Sequence, residues 1–185
     1  MRSTSTEERL ERWAGGDQNA AATVIADFVP LLRRFFNGRT ALDPDELIQQ
    51  TMLSLLRNVD GARQAVSLRA YVLRCARNRL IDSLRSQHGC PIDTLPSYSI
   101  AEERTTPSEH LQRRDLSAAV VECMSTLSDR LRQPLELHYW EGLRLDEVAE
   151  VLQIPVGTAK SRMRLARAKF ARTLRARHPH LRDLL

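Results

Sequence analysis

The segment Leu145–Phe170, LDEVAEVLQIPVGTAKSRMRLARAKF, restricts the fold more than any other part of this chain. Leu145, Val148, Ala149 and Leu152 recur at i, i+3, i+4 and i+7, the apolar face of a short helix. Gln153-Ile154-Pro155 breaks that pattern. A second helix then turns Val156, Ala159, Met163, Ala166 and Phe170 inward and presents Lys160, Arg162, Arg164, Arg167 and Lys169 between them. Two short helices joined by a tight turn, the second basic on its outer face, describe a helix-turn-helix that lays its second helix against DNA. An ordinary helical hairpin with a solvated face would mix charge signs to form i,i+4 pairs. From Ile154 to Arg177 the chain carries Lys160, Arg162, Arg164, Arg167, Lys169, Arg172, Arg175 and Arg177 with no Asp or Glu. Phosphate binding is the better account of that run.

The rest of the charge sharpens this reading. Across 185 residues, 28 Lys and Arg stand against 23 Asp and Glu, a modest net charge of +5. The positive charge gathers at the C-terminal end and in Leu68–Arg85, while Glu122–Glu150 is net acidic. Such unevenness points to one surface for nucleic acid and another for protein. The three cysteines, Cys75, Cys90 and Cys123, have no C-x-x-C spacing, and their odd number argues against a disulfide scaffold. His88-Gly89-Cys90 and His178-Pro179-His180 lack the further ligands of a zinc site, so no metal or cofactor is expected. No apolar run approaches the ~20 residues that cross a bilayer. The N-terminus MRSTSTEERLERW is charged throughout, unlike a signal peptide, which makes a reducing cytoplasm the expected location.

Nearly every segment has helical periodicity and none has a convincing period of two, so the expected class is all-α. Leu10 and Trp13 fall on a short helix that Gly15-Gly16 ends, and Asp17 can cap a longer one carrying Val24, Phe28, Leu31, Leu32 and Phe35. Pro30 lies inside that helix and predicts a kink or a break. Asp43 is written as an N-cap, Pro44 fits N1, Asp45 complements the dipole and Glu46 completes a capping box. Ile48, Met52, Leu55 and Val59 follow at helical spacing, and another helix covers about Leu68 to Arg85. Between His88 and Glu109, Pro91, Pro96, Pro107 and several Ser and Thr break all periodicity, the composition of a flexible linker. About 20 such residues reach ~65 Å when extended and ~25 Å as a coil. Helical pattern resumes near Gln112, and Pro134 predicts a helix beginning only shortly before it.

Two separated blocks together resemble a known family. DPDELIQQTM at Asp43–Met52 and LRAYVLRCARNRLIDSLR at Leu68–Arg85 resemble conserved region 2 of bacterial sigma factors. GLRLDEVAEVLQIPVGTAKSRMRLARAKF at Gly142–Phe170 is similar to region 4, and the short separation resembles the extracytoplasmic function (ECF) type. The resemblance implies two small helical domains, a region 2-like bundle over 17–87 and a region 4-like helix-turn-helix over 112–177. A linker at 88–111 would join them, with an N-terminal segment at 1–16 and a tail at 178–185. It implies that the Asp43 helix docks on the clamp coiled coil of the largest subunit of core RNA polymerase through Asp45, Leu47, Gln49 and Gln50. It implies that Leu68–Arg85 opens and reads the −10 promoter element, with Tyr71 as an aromatic platform, Asn78 and Asp82 near the bases, and Arg74, Arg77, Arg79 and Arg85 on phosphates. Reading of the −35 element falls to Gly157 and Thr158 at a helix N-terminus, to Lys160, Ser161 and Arg164 in the groove, and to Arg162 and Arg167 on the backbone.

The sequence departs from the family pattern in places. Gln50 stands where Glu is common, Met52 where Phe is usual, and Tyr71 where Trp is usual. Gln153 takes the place of a turn glycine, which predicts a less comfortable backbone there, and Pro155 stands in place of a serine. Promoter DNA and core polymerase are the expected partners, with an anti-sigma factor allowed by resemblance alone. Two alternatives compete: a sigma-like decoy that binds an anti-sigma factor, and a helix-turn-helix regulator that works without polymerase. The decoy has no need of both basic tracks, and the regulator has no need of the Asp43 helix. No Gly-rich phosphate loop and no catalytic constellation argue for an enzyme.

Overall fold

The computed structural model describes residues 6–37, 39, 40, 42–88 and 107–184, and of residues 87, 88, 107–115 and 182–184 the course of the backbone alone. Helices run in the order α1 (Thr6–Ala14), α2 (Gln18–Phe36), α3 (Pro44–Arg57), α4 (Val59–Arg63), α5 (Leu68–His88), α6 (Pro107–Ser125), α7 (Asp129–Tyr139), α8 (Leu145–Leu152) and α9 (Val156–Arg177), followed by a 3₁₀ turn at Pro179–Leu184. No strand occurs among the described residues. The all-α expectation holds.

In the first domain α2, α3 and α5 pack around Val24, Leu32, Phe36, Leu55, Leu73 and Leu80, all nearly without solvent contact. The Asp17 carboxylate caps α2, accepting from the N–H groups of Asn19 and Ala20 at 2.9 and 3.1 Å. The Ala20 N–H, with the Arg12 guanidinium beside it, holds the Asp17 carboxyl below the usual carboxylate range. Leu10 and Trp13 of α1 are buried in the same core, so residues 6–14 belong to the first domain and are not a separate segment. Pro30 does not break α2, which continues to Phe36.

Helix α3 starts as its sequence dictates, with the Asp43 carboxylate accepting from the Asp45 N–H at 2.9 Å and Pro44 in the first turn. Glu46, expected to complete a capping box, instead accepts from the Gln50 amide at 3.1 Å, one turn into the helix. The helix ends at Arg57, earlier than its periodicity predicts, because Asn58 caps a new short helix by accepting from the Gly61 N–H at 2.9 Å. A side chain at position 61 would meet the Asn58 amide at 2.5 Å, which only glycine avoids.

The second domain comprises α6 to α9. Helix α6 begins at Pro107, several residues before the expected start at Gln112, and proline suits a first helical turn because it has no N–H to satisfy. Helix α5 likewise runs on to His88. Both ends of the expected linker are therefore helical, and its remainder, 89–106, lies outside the described residues. Met124, Leu127, Leu135, Met163 and Ala166 form the domain's own small core, with Ala119, Cys123 and Leu174 in an adjoining one.

The two domains are in contact. Leu137, Leu143, Val148, Val151 and Leu152 of the second domain join the core cluster of the first. Helix α8 lies against α5, so the two domains expected from the sequence also share a packed interface. Each domain is small, and burying shared apolar surface between them follows from the same energetics that builds either core.

Candidate nucleic-acid interface

The turn between α8 and α9 aims the second helix. Gln153 has φ 54° and ψ 45°, the one non-glycine residue with positive φ among the described residues. The Gln153 N–H donates to the Glu150 carbonyl at 3.1 Å and the Ile154 N–H to the Ala149 carbonyl at 3.0 Å, closing α8 in a Schellman motif. That left-handed position is where glycine is ordinarily found, and it accounts for the less comfortable backbone expected at Gln153. Pro155 supplies no capping side chain, and Val156 and Gly157 in the first turn of α9 are exposed. First-turn N–H groups are consequently turned toward solvent, where a phosphate can take them.

Along α9, Ala159, Met163, Ala166 and Leu174 are buried, and Lys160, Ser161, Arg164 and Arg167 are exposed, with Thr158 and Arg162 half-buried. The Ser161 hydroxyl donates to the Gly157 carbonyl at 2.9 Å, which leaves its oxygen able to accept. Arg167 stacks over the Tyr139 ring at 5.4 Å from its centroid. These two residues border an apolar cavity of about 430 Å³, lined also by Val120, Met124, Leu135 and Trp140.

Helix α5 is arranged differently. Tyr71 is buried, its hydroxyl donates to the Asn58 carbonyl at 3.3 Å, and burial pushes its phenol pKa up. Arg74 covers the ring at 4.8 Å and is held by Glu150 of α8 at 3.3 Å. Arg77 is buried and donates to the side-chain amide oxygen (Oε1) of Gln133 on α7 at 3.1 and 3.2 Å. Arg79 donates to the Ser54 hydroxyl and ties α5 to α3. Asn78 is half-buried, and Asp82 and Arg85 are exposed and paired with each other at 3.6 Å. The aromatic platform expected at Tyr71 and the phosphate contact expected at Arg77 are therefore inside the molecule. The first faces α4, and the second faces the other domain.

Acidic residues of the second domain make the cover. Glu147 accepts from the Ser67 hydroxyl at 2.5 Å, and Glu150 from the Val66 N–H at 2.8 Å. Both lie at the N-terminus of α5, where the helix dipole favours negative charge. Glu136 sits between Arg39 of the first domain, at 3.2 Å, and Arg132 of its own helix, at 3.5 Å, with all of them buried. Arg34 reaches the fully buried Glu141 at 2.9 Å. The sequence reading missed these groups. Only their net negative charge was visible there.

On α3, Asp45 is exposed and paired with Arg33 at 2.6 Å, Gln49 is exposed and Gln50 is half-buried. Leu47, expected to touch polymerase, is 2% exposed and belongs to the core, because it falls on the same stripe as Ile48, Thr51, Met52 and Leu55. The outer face instead carries Leu53 at 41% and Leu56 at 44% exposure, in line with Gln49. Both leucines lie off the buried stripe, a signal the sequence already contained.

Comparison with known proteins agrees with this geometry. Residues 25–89 match the family model "Sigma-70 region 2", and residues 117–170 match "Sigma-70, region 4". The ECF RNA polymerase sigma factor SigK of Mycobacterium sp. (strain KMS) is 32% identical over 134 residues, covering 68% of either chain. This chain belongs to the ECF sigma factors. SigW of Bacillus subtilis is 25% identical over 182 residues, 91% of this chain and 96% of that one. The structure of CnrH in complex with the cytosolic domain of CnrY shares the fold, with a TM-score of 0.61 and 22% identity over 92% of this chain and 97% of the other. As a sigma factor, the protein binds core RNA polymerase and directs promoter-specific initiation of transcription. No helix among the described residues is long and apolar enough to cross a membrane.

Proposed function

We propose that this sigma factor works in the cytoplasm through three surfaces, and that the structure is its closed, resting form. The outer face of α3, with Asp45, Gln49 and Gln50 joined by Leu53 and Leu56, docks on the clamp coiled coil of the polymerase largest subunit. The second domain reads the −35 element through α9. Gly157 and Thr158 offer a helix N-terminus to a phosphate. Lys160, Ser161 and Arg164 enter the major groove, and Arg162 and Arg167 hold the backbone.

The first domain reads the −10 element through α5 once the second domain has moved away. Departure of Gln133 uncovers Arg77. Departure of Glu150 lets Arg74 swing off the Tyr71 ring, opening a face on which an extruded base stacks for about 1–3 kcal/mol. Asn78, Asp82 and Arg85 complete that surface. An anti-sigma factor is the regulatory partner included in this reading, and the protein itself carries out no chemical reaction.

The observation that carries the proposal is the exposed face of α9, where Lys160, Arg164 and Arg167 lie in solvent and no acidic residue intervenes. The test is transcription by purified core polymerase with this protein added, with start sites mapped across genomic DNA of its source. New starts sharing −35 and −10 sequences, lost on Lys160→Ala and reduced by Leu53→Glu through weaker polymerase binding, are expected. Absence of polymerase binding would sink the reading. Tight polymerase binding without any new start would turn it toward a decoy.

A further inference from the structure

One exposed residue of α9 has no role in the reading above. Leu165 is 55% exposed and is part of none of the apolar clusters formed by the described residues. A single exposed leucine is ordinary on a protein surface. Its neighbours make this one unusual. At about 100° per residue, the side of α9 opposite Ala159, Met163 and Ala166 carries Gly157, Ser161, Ala168 and, beside them, Leu165. Gly157 has open space where a side chain would project. Small residues at Gly157, Ser161 and Ala168 let the helix backbone come close to whatever it faces. Lys160 and Arg164 border this strip on one side, and Arg162 and Lys169 on the other. Arg167 on one side and Arg162 with Lys169 on the other match the two phosphate walls of a major groove, and the strip between them, with Lys160 and Arg164 along its edge, matches its floor.

Leu165 is thus placed beside the floor of a groove into which α9 is laid. The apolar group that a base pair presents in the major groove is the 5-methyl of thymine. We infer that Leu165 reads a thymine methyl within the −35 element and so sets part of this sigma factor's promoter preference. Val156, the other large exposed apolar residue of α9, projects from the opposite side of the helix and takes no part. The inference rests on the −35 role of α9 proposed above.

The test uses holoenzyme assembled from core polymerase and the full chain. Promoter fragments selected from a random −35 pool give the preferred sequence, and each thymine in it is then replaced by uracil, which removes the methyl and nothing else. Binding of the unaltered protein should fall about fourfold at one position, the effect of withdrawing one buried methyl-sized group. Leu165→Ala should bind the thymine duplex about as weakly as the unaltered protein binds the uracil one, and should itself be indifferent to the exchange. Alanine is a strong helix former at an exposed site, so the variant keeps the fold. Equal sensitivity of both proteins to uracil, or sensitivity of neither, overturns the inference and leaves the −35 reading standing. Failure of Arg164→Ala to alter any −35 preference overturns both.

Discussion

The two helices with the strongest basic faces have opposite surroundings. Helix α9 turns Lys160, Arg164 and Arg167 to solvent, whereas α5 has Arg74 and Arg77 engaged by Glu150 and Gln133 of the other domain. Both sequences are dense in arginine. The difference arises from what packs against them. A like-signed face with no acidic neighbour cannot be neutralised within its own domain and stays open. A face that meets the stretch 122–150 finds its partners inside the same chain, a carboxylate for Arg74 and an amide oxygen for Arg77. On the proposed reading, duplex contact at −35 is available to the closed molecule, and single-strand contact at −10 has to wait for the domains to part.

The sharpest way to break this comparison is to remove the carboxylate between Arg39 and Arg132. Loss of one member of a buried charge cluster costs about 3–5 kcal/mol, and in Glu136→Ala that penalty falls on the closed arrangement. Small-angle scattering should show a larger molecule, and affinity for a single-stranded −10 oligonucleotide should rise. An unchanged radius with unchanged oligonucleotide affinity would mean that the cover on α5 is not a latch. The opposite half of the comparison is addressed by Arg164→Ala, which should weaken −35 duplex binding by about 1–3 kcal/mol. Its effect should be equal in the background of Glu136→Ala, read in a competition assay at fixed salt. Unequal losses would show that the closed form also restrains α9.

Much of this was visible before the structure. The caps at Asp17 and Asp43 and the one-signed face of α9 follow from local chemistry, whereas an uncomfortable backbone at Gln153 was expected from the family resemblance, which has glycine there. Tyr71, Arg77 and Leu47 ended elsewhere than expected for two separate reasons. Periodicity tells which side of a helix turns toward its own domain. It carries no information on whether another domain covers the remaining side, and this decided Arg77. For Leu47 and Tyr71 the buried stripe is wider than one row of residues, and each lies within it. The domain contact depends on Glu136, Glu141, Glu147 and Glu150, which on a sequence are indistinguishable from solvated acids.

Two smaller tests probe the frame that presents α9. Gln153→Gly should relieve roughly 1 kcal/mol of left-handed strain, partly offset by the greater freedom of glycine in the unfolded chain. The melting temperature should rise by no more than a few degrees, checked by calorimetry, and DNA affinity should be unaltered. At the far end of the helix, Glu122 accepts from Arg177 at 2.5 Å and lies 2.9 Å from His178. The Arg177 hydrogen bond, with His178 adding to it, holds the Glu122 carboxyl below its ordinary value of 4.5. A depressed carboxylate contributes stability that is present above the ordinary value and is lost as pH falls through the folded one. Amide exchange near Leu174–Arg177 should therefore accelerate below about pH 4.5, and Glu122→Gln should remove that acid dependence.

Glu147 has a further consequence. One of its carboxylate oxygens accepts from the Arg144 N–H at 2.7 Å and starts α8, while the other takes the Ser67 hydroxyl of the first domain. Because the tasks fall to different oxygens, losing Ser67 leaves the start of α8 intact. On the proposed reading, the domains can then part and meet again with the first turn of α8 kept in place throughout.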